Sequence, residues 1–168
     1  MYKPARIVID APKVHISNGR LAASPISPEK NVISYHSALI YSVVLAAAAG
    51  GDLADPELDT IREMVIGLPI FKDFETGNFS EIAGACTDLL TEEDGLDAAI
   101  AIIRQSLPKR LCATAYALAC DVIAVDGVAT QEELRFLEML RHEIEVDRLT
   151  AAAIERGSAA RYARHVEE

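Results

Sequence analysis

Apolar positions along this chain alternate in strand fashion only near its start and recur with helical spacing from Ser27 onward. Pro4, Pro12 and Pro25 punctuate residues 1–27, and between them "RIVID" and "KVHIS" alternate apolar with polar around a turn-like "SNG" at 17–19. Proline at that density disfavours helix, so the segment reads as a short hairpin or irregular arm. Ser27 as cap and Pro28 as first helical residue then predict a helix to Ala49, with Ile33, Ile40, Val43, Val44 and Ala47 inward and Gly50-Gly51 as its stop.

Asp55-Pro56 is a second cap-plus-proline start, for a helix to Ile66 with Leu58, Ile61 and Val65 inward. Helices are further predicted over residues 80–90, from Leu96 with Ile100 and Ile103 buried, and from Pro108 to Val125. Another runs over 131–145 with Leu134, Leu137, Leu140 and Ile144 inward, and a last one starts at Asp147, breaks at Gly157 and runs toward His165. The expectation is an all-α fold of about seven helices, one compact domain over 28–168 behind an arm over 1–27.

A shift of 76 residues lays "AAGGDLADPELDTIREM" (48–64) over "AVDGVATQEELRFLEML" (124–140), matching Gly51 with Gly127, Glu57 with Glu133, Leu58 with Leu134, Ile61 with Leu137 and Met64 with Leu140. Each copy is an alanine-rich helix, a glycine turn and an amphipathic helix. One such hairpin cannot cover its own apolar face, so two are expected around a common core. Gly51 and Gly127 are expected in the left-handed conformation just past a helix end.

Composition narrows the function. Of 168 residues 51% are hydrophobic and none is Trp, which suits closely packed helices of Ala, Leu, Ile and Val. A net charge of −10 argues against binding nucleic acid, because that depends on a cationic surface. The acid concentrates over 52–97, with 13 Asp/Glu against Arg62 and Lys72, while residues 1–30 carry five Lys/Arg against Asp10 and Glu29. An acid-rich helix face is ordinarily a solvated one. Cys86, Cys112 and Cys120 form no CxxC and cannot all pair, which fits a reducing cytoplasm. Cys112 and Cys120 fall on roughly one helix face, where thiols act as small hydrophobes. "MYKPARIVID" lacks the apolar run of a signal peptide, and the apolar run 38–49 is short of the ~20 residues a membrane span needs.

The stretch "CDVIAVDGVATQEEL" (120–134) is the one candidate for chemistry. As an EF-hand with Gly127 at loop position 6 it would place Asp126 at 5 and Glu133 at 12, but Val122 and Ala124 at 1 and 3 exclude that cage. Thr130-x-x-Glu133 reads as a capping box, and acids at 132 and 133 suit the positive end of a helix dipole. Asp126 can bond the amides of its own turn. Turn-and-cap and cation site both remain open on spacing. The histidines are scattered: His36 reads as a hydrogen-bonded structural residue, and His142 with Glu145 as a solvated pair one turn apart. No HExxH, G-x-S-x-G, P-loop or GxGxxG occurs, so no enzyme is expected.

The string "ACDVIAVDGVATQEELRFLEML" resembles the second-half motif of the TerB family of tellurite-resistance-associated proteins and the related N-terminal domain of DjlA-type co-chaperones. There an alanine-rich helix runs into Asp-Gly with a glutamate seven residues after the Asp; here these are Asp126, Gly127 and Glu133. The match covers about residues 30 to 160. It implies a non-enzymatic cytoplasmic helical module in tellurite or stress resistance, which binds a divalent cation, Ca²⁺ or Mg²⁺ by the chemistry of carboxylates, and works with membrane-bound protein partners. The residues implied are Asp126, Glu133 and Glu132 in the second copy, with Asp52 and Glu57 in the first. Gly51, Gly127 and Thr130 would hold turn and cap. The first copy departs from the pattern by carrying Gly50 where the second has Asp126, though Glu57 keeps the place of Glu133 and Asp52 or Asp55 is available as a substitute acid. A protein-interaction scaffold without metal is the alternative.

Overall fold

The computed structural model describes residues 32–51, 55–125 and 127–165, with the first turn of α2 (55–57) as backbone only. Seven α-helices follow one another: α1 (Tyr35–Ala49), α2 (Asp55–Ile66), α3 (Phe79–Leu90), α4 (Gly95–Ser106), α5 (Lys109–Ala124), α6 (Gln131–Glu143) and α7 (Arg148–Arg161). No strand occurs among the described residues. The expected arm over 1–27, with Ser27 and Pro28, lies outside them.

The apolar run in the first helix decides the architecture. Residues Ala38 to Ala46 are buried without interruption, so the middle of α1 has no solvent face and must be surrounded. It packs against α3, α4, α5 and α6. Fully burying one such Leu, Ile or Val contributes about 1.5–3 kcal/mol, and Leu39, Ile40, Val43 and Val44 are each 0% exposed. This helix begins at Tyr35 rather than near Pro28. Ser34 caps it by accepting from the Ser37 amide at 3.0 Å, and Ile33 donates its amide to Ser106 Oγ at 3.0 Å while its side chain reaches the core.

The duplication appears as paired geometry. Gly51 donates to the Ala48 carbonyl at 3.2 Å and Gly127 to the Ala124 carbonyl at 3.1 Å, the same bond 76 residues apart. Both glycines have positive φ, +146° and +88°, which L side chains rarely adopt. The starts of α2 and α6, Asp55 and Gln131, also stand 76 apart. Gly51 follows the α1 cap directly, whereas Gly127 lies two residues past the α5 cap at Val125, one later than expected. Further on, α3 packs on α1 as α7 packs on α5, with α4 bridging the halves.

Helix α7 is held by chemistry at both ends. Asp147 Oδ1 accepts from the Leu149 and Thr150 amides, each at 3.0 Å, and Oδ2 accepts from the Thr150 hydroxyl at 2.6 Å. Those bonds, the Thr150 hydroxyl first, hold the Asp147 carboxyl below its ordinary range. Near the other end, Ser158 and Arg161 both donate to Asp121 Oδ1 on α5. The helix continues through Gly157 without the expected break, since a single glycine costs only about 1 kcal/mol in a helix tied at both ends.

Candidate functional site

The turn between α5 and α6 forms as a cap. Thr130 Oγ1 accepts from the Glu133 amide at 3.2 Å, and Glu133 Oε2 accepts from the Thr130 amide at 2.7 Å, completing the capping box. Glu133 is 8% exposed, which is unusual for a carboxylate on a first helical turn. What covers it is the other turn of the duplication. A methyl group on Gly50, at the end of α1, would stand 2.6 Å from Glu133 Oε1. Gly50 has ordinary right-handed helical angles, φ −80° and ψ −14°. A side chain there would therefore be opposed by space and not by backbone conformation, and would oblige the end of the Glu133 side chain to shift.

The five residues expected to hold a cation divide as follows. Glu133 sits where the two turns meet. Glu132, about 100° round α6 from it, is exposed and borders a shallow groove with Leu90, Leu96 and Met139. Asp52 and Asp126 lie outside the described residues, as does the side chain of Glu57 in the first turn of α2. Among the described residues no three His, Cys, Asp or Glu side chains are placed to hold a metal ion.

The remaining chemistry-bearing groups lie apart from the paired turns. His36 Nε2 is 2.9 Å from the Ile70 carbonyl, with Phe71 and Phe74 around its ring at centroid distances of 5.5 and 5.4 Å. His142 faces Glu143 at 3.9 Å and not Glu145, because Glu145 leaves the helix with φ +57°. Burial pushes the Cys86 and Cys120 thiols up to about 12, so both stay protonated at neutral pH and pack as apolar groups. Cys112 is only partly buried.

A second feature escaped the sequence pattern. Helices α6 and α7 both lie on α5 but barely touch one another, and between them opens a cleft of about 730 Å³. Its floor includes Tyr116, Cys120, Ile123 and Leu137, and Leu134 and Val128, 48% and 83% exposed, stand at its edge. Leu134, expected inward, shares a face with Leu137, but among the described residues no helix covers that end of α6. Tyr116 donates its hydroxyl to Glu155 Oε1 at 2.6 Å. Burial and that bond raise the phenol well above its usual range.

No family model, curated protein or solved structure matches this chain. Among the described residues no helix is long and apolar enough to cross a membrane.

Proposed function

We propose that the protein is a non-enzymatic, TerB-like helical module of the cytoplasm whose paired turns bind a divalent cation weakly, in a tellurite- or stress-response system with membrane-bound protein partners. The observation that carries the cation reading is the Glu133 carboxylate set against Gly50, one turn of the duplication in the seat of the other. One carboxylate oxygen closes the capping box, while Oε1 faces the glycine turn that leads into Asp52. The shift that carries Gly50 to 126 also carries Glu57 to Glu133. Carboxylate oxygens favour Ca²⁺ or Mg²⁺ over soft ions.

Calorimetry with Ca²⁺, Mg²⁺, Mn²⁺ and Zn²⁺ on the wild type, Asp126→Asn and Glu57→Gln tests this. The expected outcome is a weak heat with Ca²⁺ or Mg²⁺ that both variants abolish. Absence of heat and of any melting-temperature shift with every ion would remove the cation. The completed capping box favours the second reading, a scaffold in which Glu133 only holds the turn. A scaffold would retain its protein partner in excess chelator, and a cation-dependent module would release it.

A further inference from the structure

We propose that the cleft between α5, α6 and α7 receives a second copy of this chain, in a head-to-tail dimer about a two-fold axis. The first observation is apolar. Val128 and Leu134 stand exposed on the rim, beside a floor that includes Cys120 and Ile123. A surface with an apolar projection next to an apolar hollow is self-complementary, because a two-fold axis sets each copy's projection into the other's hollow. Exposed apolar side chains grouped on a concave face are the usual mark of a docking surface.

Charge selects the partner and its direction. Residues 127–165 carry seven Asp/Glu against six Lys/Arg, whereas 52–97 carries 13 against two. Copies of a chain with net charge −10 therefore repel one another least across this face. The cleft itself is polarised from end to end. Arg164 lies at the Gly127 end, where its Nη2 donates to the Val125 carbonyl at 2.8 Å. Among the described residues no carboxylate stands within ion-pair distance of that guanidinium. Toward the other end lie Glu138 and Glu155 with Arg141, a surplus of one negative charge. Leu134 and Arg141 mark the two ends on α6, about 10 Å apart at 1.5 Å per residue. Stacking two copies in parallel would set like ends together. The antiparallel arrangement instead sets Arg164 of each copy opposite Glu138 of its partner. Glu138 is free to turn to it, because its 3.7 Å pair with Arg135 is exposed at both side chains and holds it weakly.

The test is the mass of the whole 168-residue chain in solution, by sedimentation equilibrium in excess chelator. The protein should form a dimer at micromolar concentration. Val128→Asp should leave a folded monomer, since that side chain is exposed within one copy and covered only between two. Arg164→Glu should weaken the dimer by about tenfold or more, and adding Glu138→Arg to it should restore the dimer. Restoration is the result that no role of Arg164 within a single copy would give. A monomer at every concentration would overturn the proposal and give the cleft to another occupant. A dimer indifferent to Val128→Asp, or one that the charge exchange does not restore, would overturn it as well. With chelator removing any cation, this dimer stands or falls apart from the paired turns.

Discussion

The two copies of the hairpin share their turns and differ in what surrounds them. In the first, the middle of α1 is enclosed on every side, and α2 leaves through Gly67 and Pro69 into residues 67–78, whose Phe71 and Phe74 pack round His36. In the second, α5 keeps one face on an open cleft, and α6 reverses into α7 within residues 144–147. That reversal is a Schellman closure, with Val146 donating to the Arg141 carbonyl and Glu145 to the His142 carbonyl. The difference teaches that a duplicated unit need not duplicate its role. One copy supplies the centre of the core, and the other keeps an open cleft on its surface.

Equivalent positions make that difference measurable. Ile40 and Tyr116 stand 76 apart and are equally buried, 0% and 1% exposed, but only Tyr116 also borders the cleft and carries a hydroxyl bonded to Glu155. Ile40→Ala should cost about 2–5 kcal/mol in chemical denaturation. Tyr116→Phe should cost only about 0.5–1.5 kcal/mol, because the deserted Glu155 carboxylate is exposed and can turn to water. Equal losses from the two would mean that the Tyr116–Glu155 bond holds the second copy as firmly as apolar packing holds the first.

A smaller effect is expected at the exit of α6. Glu145 occupies a left-handed conformation that disfavours any side chain with a Cβ. Glu145→Gly should therefore stabilise the protein by about 0.5–1 kcal/mol. A loss of stability would mean that its side chain makes a contact stronger than the strain.

Smallest in free energy is the order of thiol reactivity. At pH about 8, below the raised values of the buried pair, alkylation should take Cys112 first. Cys120 on the cleft floor should follow, and Cys86, 0% exposed, should react only on unfolding. Cys86 reacting as fast as Cys120 would place a second opening in the first copy.

Much of this was legible in the sequence, and the omissions share a cause. The helices, the Thr130–Glu133 box and the Asp147 cap follow from local patterns, which need only residues three or four apart. Leu134 at the cleft, Glu145 with positive φ and the unbroken α7 depend on how helices lie across one another, which periodicity does not encode. Gly50 is the instructive case. Gly51 alone satisfies the left-handed turn, so a second glycine beside it was the available sign of a close approach. Which group approaches is a fact of tertiary packing, and Glu133 could not be named from spacing.

Interlocking of the two turns is the claim on which the rest depends, and a double-mutant cycle tests it. Gly50→Ala alone should destabilise the protein by about 1 kcal/mol, since its methyl group would push the Glu133 carboxylate off the Thr130 amide that it caps. In a Glu133→Ala background the same change should cost almost nothing, giving a coupling of about 1 kcal/mol. Effects that add to within about 0.5 kcal/mol would contradict the account.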